Sequence, residues 1–331
     1  HAGGRTTFTL DVTDAIRFDA PNELAVKADH PAMITDLPWV CGGCSSETGF
    51  SEGSQPLGIF RPVTLVVSNS LRVEPFGVHV WNDAPKDEKN PSMALHFETE
   101  VKNYSDRTRR FVLVNKLLNK ENIQQVRVGD TIELKPGEVR IVKQTSPAVK
   151  NPILWSPENP FLYKVVTMVR ENGKTEDEEY TDYGLRWISW PQSRNDNDKR
   201  FYLNGKPLLI NGVGEYEHQL GNSSALDSTE IEARISLIKA AGFNAFRDAH
   251  QPHNLYYKDL IDKNGLLFWS QLSAHVWYDT PEFRKNFKNN LIEWVKERRN
   301  SPSIILWGLQ NESALPEDFA RECTELIRQL D

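Results

Sequence analysis

Alternating apolar and polar positions fill the first half of the chain and predict short β-strands. Before residue 80 the alternating segments are TTFTLDV, NELAVKA, PVTLVVS and RVEPFGVHVW. After it they are MALHFETEVKN, RRFVLVNKLLN, DTIELKPGEVRIVKQ and LYKVVTMVREN. Turn-forming stretches such as NYSD, KPGE and ENGK separate the later segments at the spacing of a β-sandwich. The pattern therefore predicts all-β structure up to about residue 184.

From about residue 185 the pattern changes to apolar strands that alternate with amphipathic helices. A short hairpin leads into the strand segments GVGEYEH, FNAFRDAH, LLFWSQL and SIILWGLQNE. The helix DSTEIEARISLIKAAG has Asp227 as its predicted N-cap and Glu230 as the partner in a capping box. Four such strand–helix units predict a parallel sheet covered by helices, either half of a (β/α)8 barrel or a small doubly wound sheet. The strands lack a following Gly-rich phosphate loop, which disfavours a nucleotide fold.

Polar residues follow each of the four predicted strands. They are Glu215, Glu217 and His218; Arg247, Asp248 and His250; Gln271, Ser273 and His275; and Gln310, Asn311 and Glu312. Because active sites gather at the carboxyl ends of parallel strands, these clusters predict one functional face. Within it, Asp248 is either a functional residue or only the expected ion-pair partner of its neighbour Arg247.

Three kinds of chemistry use residues of the types found on this face. His218, His250, His275 and Glu312 are suitable metal ligands, but the sequence has no HxH or HExxH spacing, so a metal site is disfavoured. A serine hydrolase is disfavoured because GxSxG is missing from the sequence. Glycoside hydrolysis fits better, since it needs a carboxylic acid beside the leaving oxygen and a second carboxylate across the sugar ring.

Charge and composition narrow the range of partners. A net charge of −7 disfavours nucleic acid as a partner, and no run of about 18 apolar residues is present to cross a membrane. The loop motif CGGC, with Cys41 and Cys44, supplies only two of the four ligands of a structural zinc. Incidental thiols or a local disulfide are favoured over metal or redox function. A chain that starts at His1, without an initiating Met or a signal segment, is expected to be an internal piece of a longer protein.

Several segments, in order, resemble glycoside hydrolase family 2, which includes β-galactosidases, β-glucuronidases and β-mannosidases. They are LGIFRPVTLVV, LWSPENPFLYKVV, DYGLRWI, FYLNGKPLLINGVGEYEH, GFNAFRDAHQPHNLYYKDLIDKNGLLFW and NSPSIILWGLQNES. The resemblance implies a multidomain β plus α/β chain. Residues 1–80 would be the C-terminal part of a sugar-binding-type jelly roll, residues 81–184 an immunoglobulin-like β-sandwich, and residues 185–331 the first half of a TIM (β/α)8 barrel with about four βα units.

The resemblance also implies roles for residues. Glu312 would be the general acid/base, and Asn311 would bind the hydroxyl next to the anomeric carbon. Arg247 and His250 match the family's Arg-x-x-His strand end, and His275 lies in a region that often supplies a sugar-contacting His. The nucleophilic Glu belongs to a later barrel strand and is not expected in this chain.

The implied activity is that of a retaining exo-β-glycosidase, β-galactosidase-like, acting on terminal sugars of oligo- and polysaccharides. The alternative is a non-catalytic carbohydrate-binding fragment or degenerate homologue. No cofactor is required, and a bound Mg²⁺ or Na⁺ has no support in the sequence. A periplasmic or secreted location is slightly favoured over a cytoplasmic one, because relatives that degrade polysaccharides are often exported.

The chain departs from the family pattern in two places. This chain has SQLSAH where the family often has an Asp-Glu pair, and Gln310 stands where Gly is common. Because of these two departures, the resemblance does not identify the sugar that the site would bind. A half barrel would also expose strand edges and inward side chains, so we expect a homo-oligomer or association through the exposed half barrel.

Overall fold

The computed structural model describes residues 1–29, 36–37, 58–191, 196–219, 224–274 and 279–331. The first part of the fold is a β-sandwich of two antiparallel sheets. One sheet consists of β1 (Leu71–Asn82), β3 (Leu95–Asn103) and β6 (Val139–Thr145). The other consists of β5 (Gln124–Leu134), β4 (Arg109–Leu118), β8 (Tyr163–Glu171) and β9 (Lys174–Tyr183), in that order. The short strands β2 (Ser92–Met93) and β7 (Val149–Lys150) pair with each other.

Burial in the sandwich follows the period-two pattern of the sequence. In β3 every second residue from Leu95 is buried, and the residues between them are half-buried. Val101 packs with Phe111 in one apolar cluster, and Phe97 packs with Val165 in another. The predicted sandwich is confirmed, and β1 crosses the expected boundary at residue 80 because it pairs with β3 along both of its halves.

The strand predictions before residue 71 are wrong for the described part of that region. Residues 1–29, 36–37 and 58–70 contain no strand. Their alternating apolar side chains stay exposed, with Leu24 at 73% and Val66 at 69%. A strand needs a neighbour to take up its backbone hydrogen bonds, and the sheets of the described residues do not include these segments.

The second part of the fold is an open α/β unit. A small antiparallel sheet comes first, made of β10 (Ile188–Ser189), β11 (Phe201–Leu203) and β12 (Lys206–Leu208). The parallel sheet follows, in the order β13 (Gly212–Glu215), β14 (Ala245–Asp248), β15 (Leu267–Ala274) and β16 (Ile304–Gln310). Its helices are α1 (Ser228–Ala240), α2 (Leu255–Asn264), α3 (Pro281–Arg298) and α4 (Glu317–Leu330). These are the four predicted βα units of a partial TIM barrel. None of the helices in the described ranges is long and apolar enough to cross a membrane.

Helix caps define the ends of these units. At α1, the Asp227 side chain accepts from the Glu230 backbone N–H, and Glu230 accepts from the Asp227 N–H, which confirms the capping box. Asn254 caps α2, which ends at Gly265 in the left-handed conformation, with φ 66°. The buried faces of α1 and α2 pack on the sheet through a cluster that includes Ile231 and Phe246.

The link between β7 and β8 of the sandwich closes the amino-terminal end of the parallel sheet. Trp155 is fully buried there and clusters with Ala245, Leu267 and Ile305, near the starts of three strands. Its indole N–H donates to the Asp262 carbonyl at 2.9 Å. With this end filled, the carboxyl ends of the strands are left as the face on which a site can form.

We expect Gly265→Ala to destabilise the protein more than Gly242→Ala does. Both glycines have positive φ, so each substitution costs about 1–2 kcal/mol in backbone conformation. A Cβ at Gly265 would also lie 2.5 Å from the Pro157 carbonyl oxygen, whereas nothing lies within 4 Å at Gly242. Relieving that clash adds about 1–3 kcal/mol. Urea unfolding of both variants measures the difference, and equal losses would show that the link does not press on the end of α2.

Candidate active site

Arg247, at the carboxyl end of β14, is the most connected side chain of the candidate site. Its Nη2 donates to Asn311 Oδ1 at 2.7 Å, and its Nε donates to Gln271 Oε1 at 3.1 Å. The guanidinium carbon lies 4.5 Å from the centre of the Trp269 ring, within cation–π range. Three parallel strands therefore contribute to one polar cluster around Arg247.

His250 belongs to the same cluster. The residue is buried, and its Nδ1 lies 3.0 Å from Arg247 Nη2 and 3.1 Å from Gln271 Oε1. On its other side, Nε2 lies 3.1 Å from the hydroxyl of Tyr216, which follows β13. The peptide bond between Ala249 and His250 is cis.

Asn311 and Glu312 follow directly after β16. Asn311 is half-buried against Arg247, and Glu312 is exposed, with a positive φ of 50°. The Gln310 side chain spans the turn that contains them, because its Oε1 accepts from the Leu315 backbone N–H at 3.0 Å. The carboxylate of Glu312 is therefore open to a ligand at the edge of the sheet.

The structure brings together Arg247, His250 and Asn311, with Glu312 next in the chain. His275 lies outside the described residues. Gln271 and Tyr216 complete the cluster. Gln271 was predicted to lie on the functional face but without a role, and Tyr216 was not predicted. Both stand in the polar strand ends SQLSAH and GVGEYEH, and that position was the available signal.

The expected pairing of Asp248 with Arg247 is wrong. Neighbouring residues of a strand point to opposite faces, so Arg247 lies on the site face and Asp248 on the helix face. There Asp248 is fully buried and its Oδ1 lies 3.1 Å from Nδ1 of His253, while Oδ2 accepts from the Ser270 hydroxyl.

Charges around Asp248 and His253 shift the affinity of both groups for protons. Burial alone would lower the pKa of His253, but Asp248, Glu215 and Glu217 raise it to about 9. Burial raises the pKa of Asp248 to about 6, against the lowering effect of His253 and other neighbours. Near pH 7 the two residues therefore form a buried ion pair.

Glu217 attaches the N-terminal segment to the site region. Its Oε2 accepts from Arg61 at 2.5 Å and from Arg5 at 3.4 Å, and its Oε1 accepts from the Asn254 N–H at 2.7 Å. Burial opposes ionisation of Glu217, but Arg61, His253 and Arg5 hold its pKa below the usual value. These contacts fix the chain at Glu217, the residue that follows Tyr216.

Within the described ranges, no group of three or more His, Cys, Asp or Glu side chains is placed to hold a metal ion. Cys41 and Cys44 lie outside those ranges. Cys323 is a free, buried cysteine on α4 that packs among Phe287 and Phe319.

Comparison with family models and known proteins agrees with this architecture. A model described as "Glycosyl hydrolases family 2, TIM barrel domain" matches residues 196–331. A second model, described as "Glycosyl hydrolases family 2", matches residues 78–186. The two matches cover most of the sandwich and the half barrel.

Relatives match the chain along nearly all of its length. It is 28% identical, over its whole length, to a β-glucuronidase of Bacteroides fragilis, of which it covers 47%. It is 29% identical over 93% of its length to a β-galactosidase of Bacteroides ovatus, of which it covers 34%. The structure of a glycosyl hydrolase family 2 member from Bacteroides cellulosilyticus matches the whole chain, with a TM-score of 0.81 and 29% identity. The chain covers 43% of that structure, so it spans less than half of each of these relatives.

We expect the free energy of unfolding to fall as the pH rises from about 6.5 to about 9. The folded state holds the His253 proton more tightly than the unfolded state, so this contribution is complete below the ordinary histidine pKa of about 6.5 and is lost through pH 9. His253→Gln should remove this slope and cost about 3–5 kcal/mol at pH 7, because it leaves Asp248 buried without its cation.

His96→Gln is the matched control. His96 lies on β3 in the sandwich, where it contacts Asp83 and Thr145, so this variant should keep the slope. Denaturant unfolding at a series of pH values measures all three proteins. Equal slopes in the wild type and His253→Gln would contradict the assignment.

Proposed function

Because the chain belongs to glycoside hydrolase family 2, we propose that the protein it is part of is a retaining exo-β-glycosidase, β-galactosidase-like, that releases terminal sugars from oligo- and polysaccharides. The observation that carries the proposal is the hydrogen-bonded cluster of Arg247, His250, Gln271 and Asn311 directly beside Glu312. Its relatives include a β-glucuronidase and a β-galactosidase, so both sugars belong in the test.

Glu312 is the general acid/base in this proposal. The exposed carboxyl group stands at the carboxyl edge of the sheet, where it can reach a glycosidic oxygen. In the first step it protonates the leaving oxygen, and in the second it takes a proton from the water that hydrolyses the glycosyl-enzyme.

Asn311, Arg247 and His250 bind and orient the sugar. Arg247 holds the Oδ1 atom of Asn311, which leaves the amide NH₂ as the group that donates to the hydroxyl next to the anomeric carbon. Such a bond accelerates the reaction when it becomes stronger in the transition state than in the ground state. His275 is proposed as a further sugar contact.

The nucleophile is proposed to lie outside these 331 residues. The carboxylates at the ends of β13 and β14 are engaged elsewhere: Glu215 pairs with Arg234, Glu217 with Arg61, and Asp248 with His253. Retention needs a second carboxyl group about 5–5.5 Å from the first. A later barrel strand is the place from which a carboxylate could approach Glu312 across the sheet.

We expect Glu312→Gln, in the complete protein, to lower turnover of glycosides with poor leaving groups by about 10²–10⁴-fold, because the leaving oxygen loses its proton donor. Substrates with activated leaving groups should be rescued by azide, which attacks the glycosyl-enzyme without needing a base. Hydrolysis of a panel of p-nitrophenyl and alkyl glycosides, galactosides and glucuronides included, measures both effects.

Glu317→Gln is the control, since this exposed glutamate lies five residues away in the first turn of α4. It should retain wild-type rates. Unchanged hydrolysis of alkyl glycosides by Glu312→Gln would overturn the assignment of the acid. Sugar binding without hydrolysis by the complete wild-type protein would favour a non-catalytic carbohydrate-binding role.

The 331-residue chain assayed alone should hydrolyse none of these glycosides. A general acid without a nucleophile or a positioned water supplies only part of the rate enhancement. Assays of the isolated chain and the complete protein, side by side at equal concentration, check this. Turnover by the isolated chain that is lost in Glu312→Gln would place the nucleophile within these residues.

A further inference from the structure

Gln271 is a wholly buried amide in the middle of the polar cluster. One atom of it, Oε1, lies 3.1 Å from both Arg247 Nε and His250 Nδ1. Arg247 of β14 and His250 of the loop after it therefore converge on a single acceptor on β15. The resemblance of this region to a family that often has an acidic residue here gave Gln271 no role of its own.

The chemistry of the donors fixes the orientation of the Gln271 amide. The Nε–H of Arg247 can only donate, so the amide atom that faces it must be the oxygen. His250 Nδ1 lies between that oxygen, at 3.1 Å, and the donor-only Nη2 of Arg247, at 3.0 Å. Gln271 and Arg247 therefore hold the same edge of the His250 ring.

Packing allows Gln271 little freedom to move. A Cβ on Gly308 of β16 would lie 2.8 Å from Trp269 Nε1 and 2.9 Å from Gln271 Nε2. Both side chains therefore lie directly against the backbone of the adjacent strand. The backbone N–H of Gln271 also points to Asp248 Oδ2, at 3.4 Å.

Arg247 connects this amide to the residue beside the acid. The same guanidinium that donates to Gln271 through Nε donates to Asn311 Oδ1 through Nη2, at 2.7 Å. Because a guanidinium is planar and rigid, fixing Nε also fixes the direction of Nη2. The orientation of the Asn311 amide thus depends on Gln271 through Arg247.

We propose that Gln271 is a positioning residue: through Arg247 it aims the Asn311 amide at the sugar hydroxyl next to the anomeric carbon. This inference rests on the proposed glycosidase function for its effect on substrate. Gln271 thereby determines how strongly the site selects sugars that carry that hydroxyl over their deoxy analogues.

The kinetic test compares Gln271→Met with Gln144→Met in the complete protein. Gln144 is a matched control, a buried glutamine of the sandwich that accepts from Asn115 and donates to Asp130, each at 2.7 Å. We expect Gln271→Met to reduce the ratio of kcat/KM for a glycoside to that for its 2-deoxy analogue by about tenfold, the scale of one lost hydrogen bond to a charged group. Gln144→Met should leave the ratio unchanged. An unchanged ratio in both variants overturns the proposal.

A second measurement needs no activity. Arginine-selective ¹⁵N labelling and ¹H–¹⁵N NMR report the Nε–H of Arg247, which donates to Gln271, with the signal assigned by its loss in Arg247→Lys. A shift or faster exchange of this signal in Gln271→Met, but not in Gln144→Met, supports the proposal, and an unchanged signal in Gln271→Met overturns it. If the wild type hydrolyses no glycoside, the proposed function fails, and this signal still decides whether Gln271 holds Arg247.

Discussion

All strands of a parallel sheet that run side by side end at the same edge, and the site depends on this constraint. Arg247, Gln271 and Asn311 are far apart in sequence, yet each lies in the carboxyl half of its strand or just past its end, and Arg247 bonds to both others. The apolar cluster around Trp155 fills the opposite end of the sheet. The fold therefore separates a closed end that stabilises the sheet from an open end where polar groups meet.

The alternation of side chains along each strand also separates the two faces of the sheet. On β14, Arg247 faces the site and Asp248 faces the helices, so two adjacent charges act in different environments. Asp248 forms a buried ion pair with His253, whereas Arg247 lies over Trp269 and bonds to the amides of Gln271 and Asn311. A buried pair of this kind is a weak source of net stability, but removing one partner is costly. We infer that the helix-side pair holds the loop after β14, and with it His250, in a fixed place.

The sequence was sufficient for the parts of the fold in which local pattern and tertiary packing agree. The capping box of α1 and the Gly265 cap of α2 are local features, and the four parallel strands follow from their apolar runs. The prediction of strands before residue 71 was wrong for the described residues, because a strand forms only with a neighbouring strand to pair with. Alternation of apolar and polar residues does not supply that neighbour. The role of Gln271 was missed because hydrogen bonds between strands depend on register, and the register of β14 with β15 cannot be derived from either segment alone.

Register also explains the positions of Gly308 and Gln310 on β16, close to Glu312. Gly308 pairs with Gln271, and the missing side chain makes room for the amide and for Trp269. Two residues later the Gln310 side chain secures the turn through the Leu315 N–H, and Glu312 adopts a left-handed conformation that costs an L-residue about 1–2 kcal/mol. An extended continuation of β16 would keep Asn311 and Glu312 on opposite faces of the sheet. The left-handed residue turns the chain instead, so the acid is exposed beside the Asn311 amide that Arg247 holds.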